Sequence, residues 1–329
     1  MTQLIRLSQW DADAELRSQY TGGCISIGNF DGVHVGHRDL LAQTRLAANR
    51  IDGSAIAVVL DPHPAAVLRP HNAPPKLTTI ERRAELMASM QIDALLVCPA
   101  TMPFLNLSAD DFFYQLIVDR LAARAMVEGP NFFFGRDRGG DVRRLESLCD
   151  DAGVQLTVVE PTVDPPTSGN ANESGTRMIS SSRIREAIAV GDVSGASEML
   201  QSRYQIAGTV GRGEERGRTI GFPTANLHGI DVLIPGHGVY AAIVTIDGKS
   251  DSSSLPHAAA VHLGPNPTFD DQNVTKVEVH IIDYDADLYG RRLRVDFIRK
   301  IRDVKRFESP EALVRQLNHD IEQVRQCQP

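Results

Sequence analysis

The sequence predicts two domains: an α/β domain with a parallel sheet, followed by an antiparallel β-barrel that ends in a helix. Three observations support this fold class. Short apolar runs alternate with helix-like segments up to about Val159. Beyond Tyr204 the runs alternate apolar and polar residues and are separated by Gly, Pro, Asp and Asn. The chain also has 329 residues, more than one hydrophobic core usually serves.

The predicted strands of the first domain are apolar on both faces, as in a parallel sheet covered by helices. They are Cys24–Ile27, Ala55–Leu60, Ala94–Cys98, Ala125–Val127 and Leu156–Val159. Helical spacing lies between them at Arg38–Arg50, Thr79–Met90, Ala109–Leu121 and Val142–Ala152. Ser108 and Asp111 have the spacing of a helix-capping pair. These elements predict an open, doubly wound, Rossmann-like domain.

The two domains are predicted to span residues 1–195 and 196–329. Pro161–Gly175 is rich in Pro, Ser, Gly and Asn, and we expect it to be an exposed loop. This loop is not the domain boundary, because the helix-like Ser182–Val190 follows it. The boundary is therefore placed near Gly191–Gln201.

Alternating strands of the second domain predict an antiparallel sheet or a small barrel. They are Tyr204–Val210, Val239–Ile246, Ala258–Val261, Val274–Ile282 and Arg292–Phe297. The closing segment Ser309–Gln326 predicts a helix, because Ser309 followed by Pro310 is a good helix start. Its apolar residues Leu313, Leu317, Ile321 and Val324 share one face.

Composition narrows the functional classes. The net charge of −8 argues against nucleic acid as a partner. The four cysteines have no C-x-x-C spacing, which favours a reducing cytoplasm over a zinc site or a disulfide framework. No run has the length and apolarity of a signal peptide or a membrane span, so we expect a cytoplasmic protein with no membrane partner. The oligomeric state is not predicted.

Three fragments imitate well-known nucleotide-site motifs, and each fails on spacing. His37–Leu40 lacks the asparagine of a protein-kinase catalytic loop, since Thr44 stands at that position. Gly248–Ser250 lacks the leading glycine of a Walker A loop, and Gly211–Gly213 lacks the third glycine of a dinucleotide fingerprint. A protein kinase, a P-loop enzyme and an NAD enzyme are therefore not supported.

A first candidate site lies in Ser26–Leu41, which reads SIGNFDGVHVGHRDLL and follows the first predicted strand. Ligands of open α/β sheets bind outside the carboxyl ends of the strands. Its glycines allow close backbone approach, and a helix beginning near Val35 directs free N–H groups to the same place. His34 and His37 are three residues apart, so both imidazoles face one way and can donate to a phosphate whose charge grows in the transition state.

Two other interpretations of this histidine pair remain open at this stage. The pair could ligate a metal ion, although His63 and His71 do not complete a convincing ligand pattern. Alternatively, the histidines only cap the helix.

The stretch Gly28–His37 resembles the H-x-G-H signature of nucleotidyltransferases, in the form found in bacterial FMN adenylyltransferases (FAD synthetases). Other stretches match this family in the same order: Asp61–Pro64, Gly129–Gly135 and Ile179–Arg185. In the last, Ser182 replaces the usual threonine and retains a hydroxyl. The resemblance implies that the phosphate of FMN attacks the α-phosphorus of ATP and that FAD and pyrophosphate are released. An anionic nucleophile needs no general base.

The resemblance also implies roles for individual residues of this chain. His34, His37 and Arg185 would stabilise the ATP phosphates as catalytic groups, and Ser181 and Ser182 would bind the same phosphates. The remaining residues implied to bind nucleotide or flavin are Gly28, Asn29, Phe30, Asp31, Gly36 and Asn131.

A second candidate site lies in Gly208–Leu227, which reads GTVGRGEERGRTIGFPTANL. A structural interpretation is a hairpin tip followed by a turn. The loop also has the Gly and Arg that a flap closing over phosphates requires. Thr224 and Asn226 offer two neutral oxygens that suit Mg²⁺ held together with nucleotide phosphates. Glu278 lies in an alternating strand, where an ordinary exposed glutamate is the alternative.

These segments resemble the riboflavin kinase (flavokinase) family through Gly217–Asn226, Gly238–Tyr240, Pro267–Phe269 and Glu278–Gly290. The resemblance implies that Glu278 is the general base that takes the proton of the ribityl hydroxyl as it attacks the γ-phosphate of ATP. It further implies that Gly217 and Arg218 bind nucleotide. Arg302 is predicted on the flavin side.

The two resemblances together predict an enzyme that makes FMN from riboflavin and then FAD from FMN, with ATP and Mg²⁺ as cofactors and ADP and pyrophosphate as by-products. Small molecules are the predicted partners. Two alternatives stay open: a nucleotidyltransferase for another phosphorylated metabolite, and a flavin-binding sensor or carrier without turnover.

Overall fold

The structure is a computed structural model that describes residues 1–160, 178–213, 221–247, 255–265 and 275–327. The chain divides into two compact units, Met1–Pro74 with Thr79–Ser180 and Pro75–Thr78 with Ser181–Pro329. The predicted loop Pro161–Gly175 lies outside the described residues. The predicted boundary between residues 195 and 196 stays a prediction. No helix in the described ranges is long and apolar enough to cross a membrane.

The first unit contains a six-stranded sheet in which every described strand pair is parallel, which confirms the predicted α/β class. Its strands are β1 Gln3–Arg6, β2 Cys24–Ile27, β3 Ala55–Asp61, β4 Ala94–Pro99, β5 Ala125–Glu128 and β6 Gln155–Val158. The spatial order is β1-β4-β3-β2-β5-β6. Alternate residues of β3 enter two separate apolar clusters, so both faces of the sheet are buried.

Helices connect these strands. They are α1 Leu7–Ala12, α2 Ala14–Tyr20, α3 Val35–Arg50, α4 Pro64–Leu68, α5 Ile80–Ala88, α6 Met102–Leu105, α7 Ala109–Phe112 and α8 Val142–Ala152. The predicted capping pair is confirmed, because the backbone N of Asp111 donates to Ser108 Oγ at 3.0 Å. The predicted helix Ala109–Leu121 is not α-helical throughout, because α7 continues as a π-helix over Phe113–Arg120.

The elements before residue 24 were not predicted. β1 pairs with β4 at the sheet edge, in register from Gln3 opposite Ala94 to Arg6 opposite Val97. Only one of its four residues is fully buried, because an edge strand is covered less than a central one. It therefore lacks the continuous apolar run that marks the inner strands.

The second unit contains a closed antiparallel barrel, which confirms the barrel prediction. Its strands are β7 Gln205–Gly211, β8 Ala225–His228, β9 Gly238–Ile246, β10 His257–Gly264, β11 Lys276–Ile281 and β12 Arg292–Arg302. They close in the order β10-β11-β8-β7-β12-β9. β8 was not predicted because four residues, Ala-Asn-Leu-His, are too short for a clear alternation.

Among the residues that the structure describes, three helices accompany the barrel: α9 Ser181–Val190, α10 Val193–Leu200 and α11 Pro310–Arg325. α10 occupies the segment that was predicted to link the domains, and it packs against α9 and β12. α11 begins as predicted, with Ser309 Oγ accepting from the backbone N of Ala312 at 3.2 Å. Its Val324 is buried against Ala241 and Ile282.

The core of the first unit offers a direct test of packing. Leu145 on α8 is fully buried in the cluster that contains Trp10, the single tryptophan of the chain. Leu145→Ala should lower the free energy of unfolding of this unit by about 2–5 kcal/mol, because it leaves a cavity. Urea denaturation followed by Trp10 fluorescence measures the change. The adjacent exposed Glu146 supplies the control, since Glu146→Ala should shift it by less than about 0.5 kcal/mol. Equal effects of the two variants would contradict this packing.

Candidate active sites

The first candidate site is the loop Gly28–His34, which joins the carboxyl end of β2 to α3. Phe30 and Val33 are fully buried in this loop, and both have a positive φ of 46°. For a β-branched residue such as Val33 this backbone conformation is strained. Strain of this kind persists only where the surrounding packing holds it, and it is frequent at functional sites.

A buried ion pair holds the loop in place. Arg83 on α5 contacts Asp31 with Nη2 at 2.9 Å from Oδ1, and both side chains are less than 10% exposed. The same guanidinium donates through Nη1 to the backbone oxygen of Asn29 at 2.9 Å. Asp31, predicted as a ligand-binding residue, therefore holds the loop through Arg83. Phe30, predicted in the same set, is a core residue with a fully buried ring.

The two histidines lie together as the sequence predicts. Their rings stack with centroids 3.7 Å apart and planes inclined by 17°. The ring of Phe30 makes a T-shaped contact with His37, with centroids 5.3 Å apart. His34 occupies the N-cap position of α3, but its side chain makes no capping hydrogen bond to the helix. The capping interpretation is therefore wrong for His34. Within the described residues no group of three His, Cys, Asp or Glu side chains is placed to hold a metal ion.

The environment of His37 favours the neutral imidazole. Burial lowers the pKa of His37 well below its ordinary value, and the neighbouring His34 and Arg83 lower it further. A neutral imidazole keeps one N–H donor and one acceptor nitrogen. In the protein without ligand, His37 is therefore a polar donor rather than a fixed positive charge.

The backbone around the histidines is open to close approach. A Cβ atom at Gly36 would lie 3.5 Å from the His34 ring, an ordinary contact distance. The packing of the chain itself therefore does not require glycine there. Asn29 is exposed, and its Nδ2 lies 2.9 Å from Nε2 of His63, which ties the loop to the Asp61–Pro64 segment.

Asn131 follows β5, the neighbour of β2, and is exposed in a turn closed by the backbone hydrogen bond from Phe132 N to Gly129 O at 3.1 Å. Because the carboxyl ends of parallel strands meet at one sheet edge, Asn131 and the Gly28–His34 loop leave from the same edge. Glu128 stands just before this turn, and its Oε1 accepts a hydrogen bond from the backbone N of Ile27 at 2.7 Å.

The residues predicted to bind the ATP phosphates through α9 belong to the second unit. Ser181 and Ser182 form the first turn of α9, and Ser182 is exposed. Arg185 donates through Nε to the backbone oxygen of Pro75 at 2.7 Å. Their role in phosphate binding stays a prediction.

The second candidate site is a row of residues that lie side by side on neighbouring strands of the barrel. Asn226 on β8 lies directly opposite Glu278 on β11, and Glu278 lies opposite His262 on β10. Val239 on β9 then lies opposite both His262 and Arg302 of β12. Residues opposed in an antiparallel pair direct their side chains to the same face. Register thus brings the predicted base and a predicted metal ligand side by side.

Backbone packing around Asn226 is tight. A Cβ atom at Gly213 would lie 2.0 Å from Asn226 Nδ2, so no other residue fits at Gly213 without displacing the amide. His262 is the second neighbour of Glu278. Burial lowers the pKa of His262, while the Glu278 carboxylate acts in the opposite direction. The nearby Arg302 adds to the lowering.

Arg302 makes a buried ion pair with Asp320 of α11. Nη2 lies 2.8 Å from Oδ2, and the Asp320 side chain is 1% exposed. Nε also donates to both carboxylate oxygens, at 3.1 and 2.9 Å. The guanidinium therefore ties α11 to β12 within the same unit. A contact between Arg302 and flavin stays a prediction.

A cavity of about 700 Å³ opens beside Thr224. It is lined by Gly211, Pro223, Val279 and Tyr284–Tyr289, among others. Glu278 does not line it, because the alternation of β11 directs Val279 to the other face. The predicted nucleotide-binding residues Gly217 and Arg218 lie outside the described part of the chain.

Sequence reasoning missed four polar residues of these regions: Arg83, Glu128, His262 and Asp320. A charged residue on the apolar face of a helix was an available signal for Arg83, which lies between Ile80 and Met87. Glu128 likewise ends an apolar strand. His262 was missed because the strand was predicted to end at Val261, whereas β10 continues to Gly264.

Comparison with known proteins identifies a two-domain enzyme of the transferase class. The sequence profile of FAD synthetase matches residues 16–168, and the profile of riboflavin kinase matches residues 200–328. A bifunctional riboflavin kinase/FMN adenylyltransferase from Pseudomonas fluorescens is 33% identical over 306 residues and covers 93% of each chain. The chain belongs to this bifunctional family, as its motifs predicted.

Two further comparisons also cover at least 90% of each chain. The enzyme of the same description from Escherichia coli is 32% identical over 299 residues, covering 91% of this chain and 90% of that one. A crystal structure described as a macrolide-efflux protein from Streptococcus pneumoniae superposes with a TM-score of 0.81 at 28% identity, covering 98% of both chains.

Neutral His37 makes the stability of the first unit depend on pH. Its pKa is lowered on folding, so the unfolded chain takes up the proton first as the pH falls through about 6.5. Stability should therefore decrease below that pH, by at most about 1.4 kcal/mol per pH unit. Urea denaturation followed by Trp10 fluorescence between about pH 7.5 and 5.5 measures this loss.

His37→Gln should remove this part of the acid sensitivity, whereas replacement of the exposed His71 by Gln should not. An unchanged pH profile in His37→Gln would show that folding does not shift the pKa of His37.

Proposed function

We propose that the chain divides the two activities of its family between its units: the first forms FAD from FMN and ATP, and the barrel forms FMN from riboflavin and ATP. The observation that supports this division is that the units carry different polar groups. The β2–α3 loop offers two stacked imidazoles, and the barrel aligns Glu278 with Asn226.

Adenylyl transfer needs alignment and charge stabilisation, because the phosphate of FMN is already a nucleophile. As it attacks the α-phosphorus of ATP, the bond to the pyrophosphate breaks and negative charge grows on the leaving oxygens. His34 and His37 donate to this developing charge, together with the free N–H groups at the start of α3. Asn131, Ser181, Ser182 and Arg185 are the further residues that the family resemblance implies for substrate binding in this reaction.

Riboflavin phosphorylation has a neutral nucleophile, and a general base therefore helps. Glu278 takes the proton of the ribityl hydroxyl as that oxygen attacks the γ-phosphorus and ADP leaves. Its neighbours in the row, Asn226 and His262, keep the carboxylate beside polar groups.

The oxygen donors of the barrel fit Mg²⁺. Thr224 is exposed just before β8, and Asn226 follows two residues later on that strand. Neutral hydroxyl and amide oxygens suit a hard cation that keeps nucleotide phosphates as its other ligands. When bound, the ion neutralises charge on those phosphates.

We place both reactions in the cytoplasm. All four cysteines are free thiols, and burial raises the pKa of Cys24, Cys98 and Cys149 to about 12. Free and unreactive thiols are typical of a reducing compartment.

The decisive experiment incubates the purified chain with riboflavin, ATP and Mg²⁺ and separates the flavins by chromatography. FMN should appear first and FAD later. Flavin binding without ATP consumption would instead identify a sensor or carrier, and FMN without FAD would point to another substrate of the first unit.

The barrel site is tested by Glu278→Gln, which should slow FMN formation by about 10²- to 10⁴-fold, because the general base is lost. Asn226→Ala should lower the same rate and raise the Mg²⁺ concentration it requires. FAD formation from supplied FMN should continue in both variants. Glu322→Gln, at an exposed position of α11, is the matched control and should form FMN and FAD at normal rates.

The site of the first unit is tested by His37→Ala, which should reduce FAD formation from FMN by about 10²- to 10³-fold, the usual effect of removing a transition-state donor. Riboflavin phosphorylation by the same sample should be normal and serves as the internal control for folding. Loss of both activities in a folded variant would refute the division of labour.

A further inference from the structure

The sheet of the first unit opens between β2 and β5. These strands pair only at Cys24 opposite Ala125 and Ile25 opposite Met126. Each then stays with its other neighbour: β2 follows β3 to Ile27 opposite Val58, and β5 follows β6 to Glu128 opposite Val158. After β2 the chain continues to β3 on one side of this opening, and after β5 it continues to β6 on the other side. An opening of this kind is the switch point at which open α/β sheets bind ligands.

Glu128 spans this opening with its side chain. It is the last residue of β5 and is 1% exposed. Its Oε1 accepts the hydrogen bond from the backbone N of Ile27 at 2.7 Å, in place of the ladder hydrogen bond that the separating strands no longer make. Ile27 is the residue directly before the Gly28–His34 loop. The carboxyl group therefore determines where that loop begins.

The surroundings of Glu128 favour the uncharged acid. Burial raises the pKa of the Glu128 carboxyl well above its ordinary value, and the hydrogen bond from Ile27 only partly opposes this. The titratable groups that face it are the thiols of Cys24 on β2 and Cys149 on α8, and burial raises the pKa of both to about 12. In the described residues no cation makes a salt bridge with Glu128.

We propose that Glu128 is a positioning residue for adenylyl transfer: by accepting the hydrogen bond from the backbone N of Ile27, its carboxyl group anchors the start of the β2–α3 loop. This inference rests on the assignment of adenylyl transfer to that loop. Loss of the acceptor would let the start of the loop shift, which would weaken the binding of ATP.

Asp93 offers a matched control at the amino-terminal ends of the strands of the same sheet, directly before β4. Its Oδ2 accepts from the backbone N of Ala55, the first residue of β3, at 2.8 Å. It also makes an ion pair with Arg45 at 2.6 Å. Asp93 thus makes the same kind of strand-capping hydrogen bond, away from the carboxyl ends of the strands.

The experiment measures kcat and KM of FAD formation in Glu128→Gln, Glu128→Leu and Asp93→Leu at about pH 7. Glu128→Leu leaves Ile27 N without an acceptor, so the KM for ATP should rise about ten- to a hundredfold. Glu128→Gln keeps an acceptor oxygen and should stay within about threefold of the unsubstituted protein at pH 7. Asp93→Leu should lower stability and leave the KM unchanged.

Rescue by Glu128→Gln separates positioning from a merely structural role, because this variant keeps the acceptor oxygen and should keep the KM for ATP, whereas Glu128→Leu should raise it. Stability depends on pH separately: because folding raises the pKa of Glu128, the free energy of unfolding falls as the pH increases from about 4.3, and Glu128→Gln removes that fall.

Two results would overturn the proposal. If Glu128→Leu behaves as Asp93→Leu does, with lower stability and an unchanged KM, Glu128 is structural only. If Glu128→Gln, which keeps the acceptor oxygen, raises the KM for ATP more than about tenfold, the hydrogen bond to Ile27 is not what matters, and this result decides even when Glu128→Leu fails to fold. Normal FAD formation by His37→Ala would instead show that the loop itself was wrongly assigned, whatever the Glu128 variants do.

Discussion

Hydrogen-bond register between neighbouring strands is the constraint on which both sites depend. In the barrel, register sets Asn226, Glu278 and His262 side by side although they are far apart in the sequence. In the parallel sheet, loss of register beyond Ile25 and Met126 opens the switch point that Glu128 spans. A shift of one residue would turn each of these side chains to the opposite face. Each site therefore depends on the hydrogen-bonded strand pairs that contain its residues.

The polar side chains of the two candidate sites differ in their charge. The first keeps its polar groups neutral or paired: burial lowers the pKa of His37, raises that of Glu128, and leaves Asp31 in an ion pair with Arg83. Uncharged donors suit a site that receives two anionic substrates, because no fixed carboxylate repels them. The barrel instead retains Glu278 beside polar neighbours, which suits a neutral alcohol.

Strain and ion pairs explain why the loops hold their shape. Phe30 and Val33 adopt positive φ values that an exposed loop would relax, and their burial together with the Asp31–Arg83 pair prevents this. Breaking a buried pair by removing one partner typically costs about 3–5 kcal/mol, far more than a surface pair contributes. Arg302 and Asp320 hold α11 against the barrel by the same means.

The sequence alone determined the two fold classes, the inner strands of the parallel sheet, the family and the shared orientation of His34 and His37, because these follow from local periodicity and from motifs a few residues long. Tertiary structure decided what depends on distant segments. Examples are the edge strand β1, the short strand β8, and the partners Arg83 for Asp31 and Asp320 for Arg302. The physical reason is that burial and register arise between residues tens of positions apart, which no local pattern records.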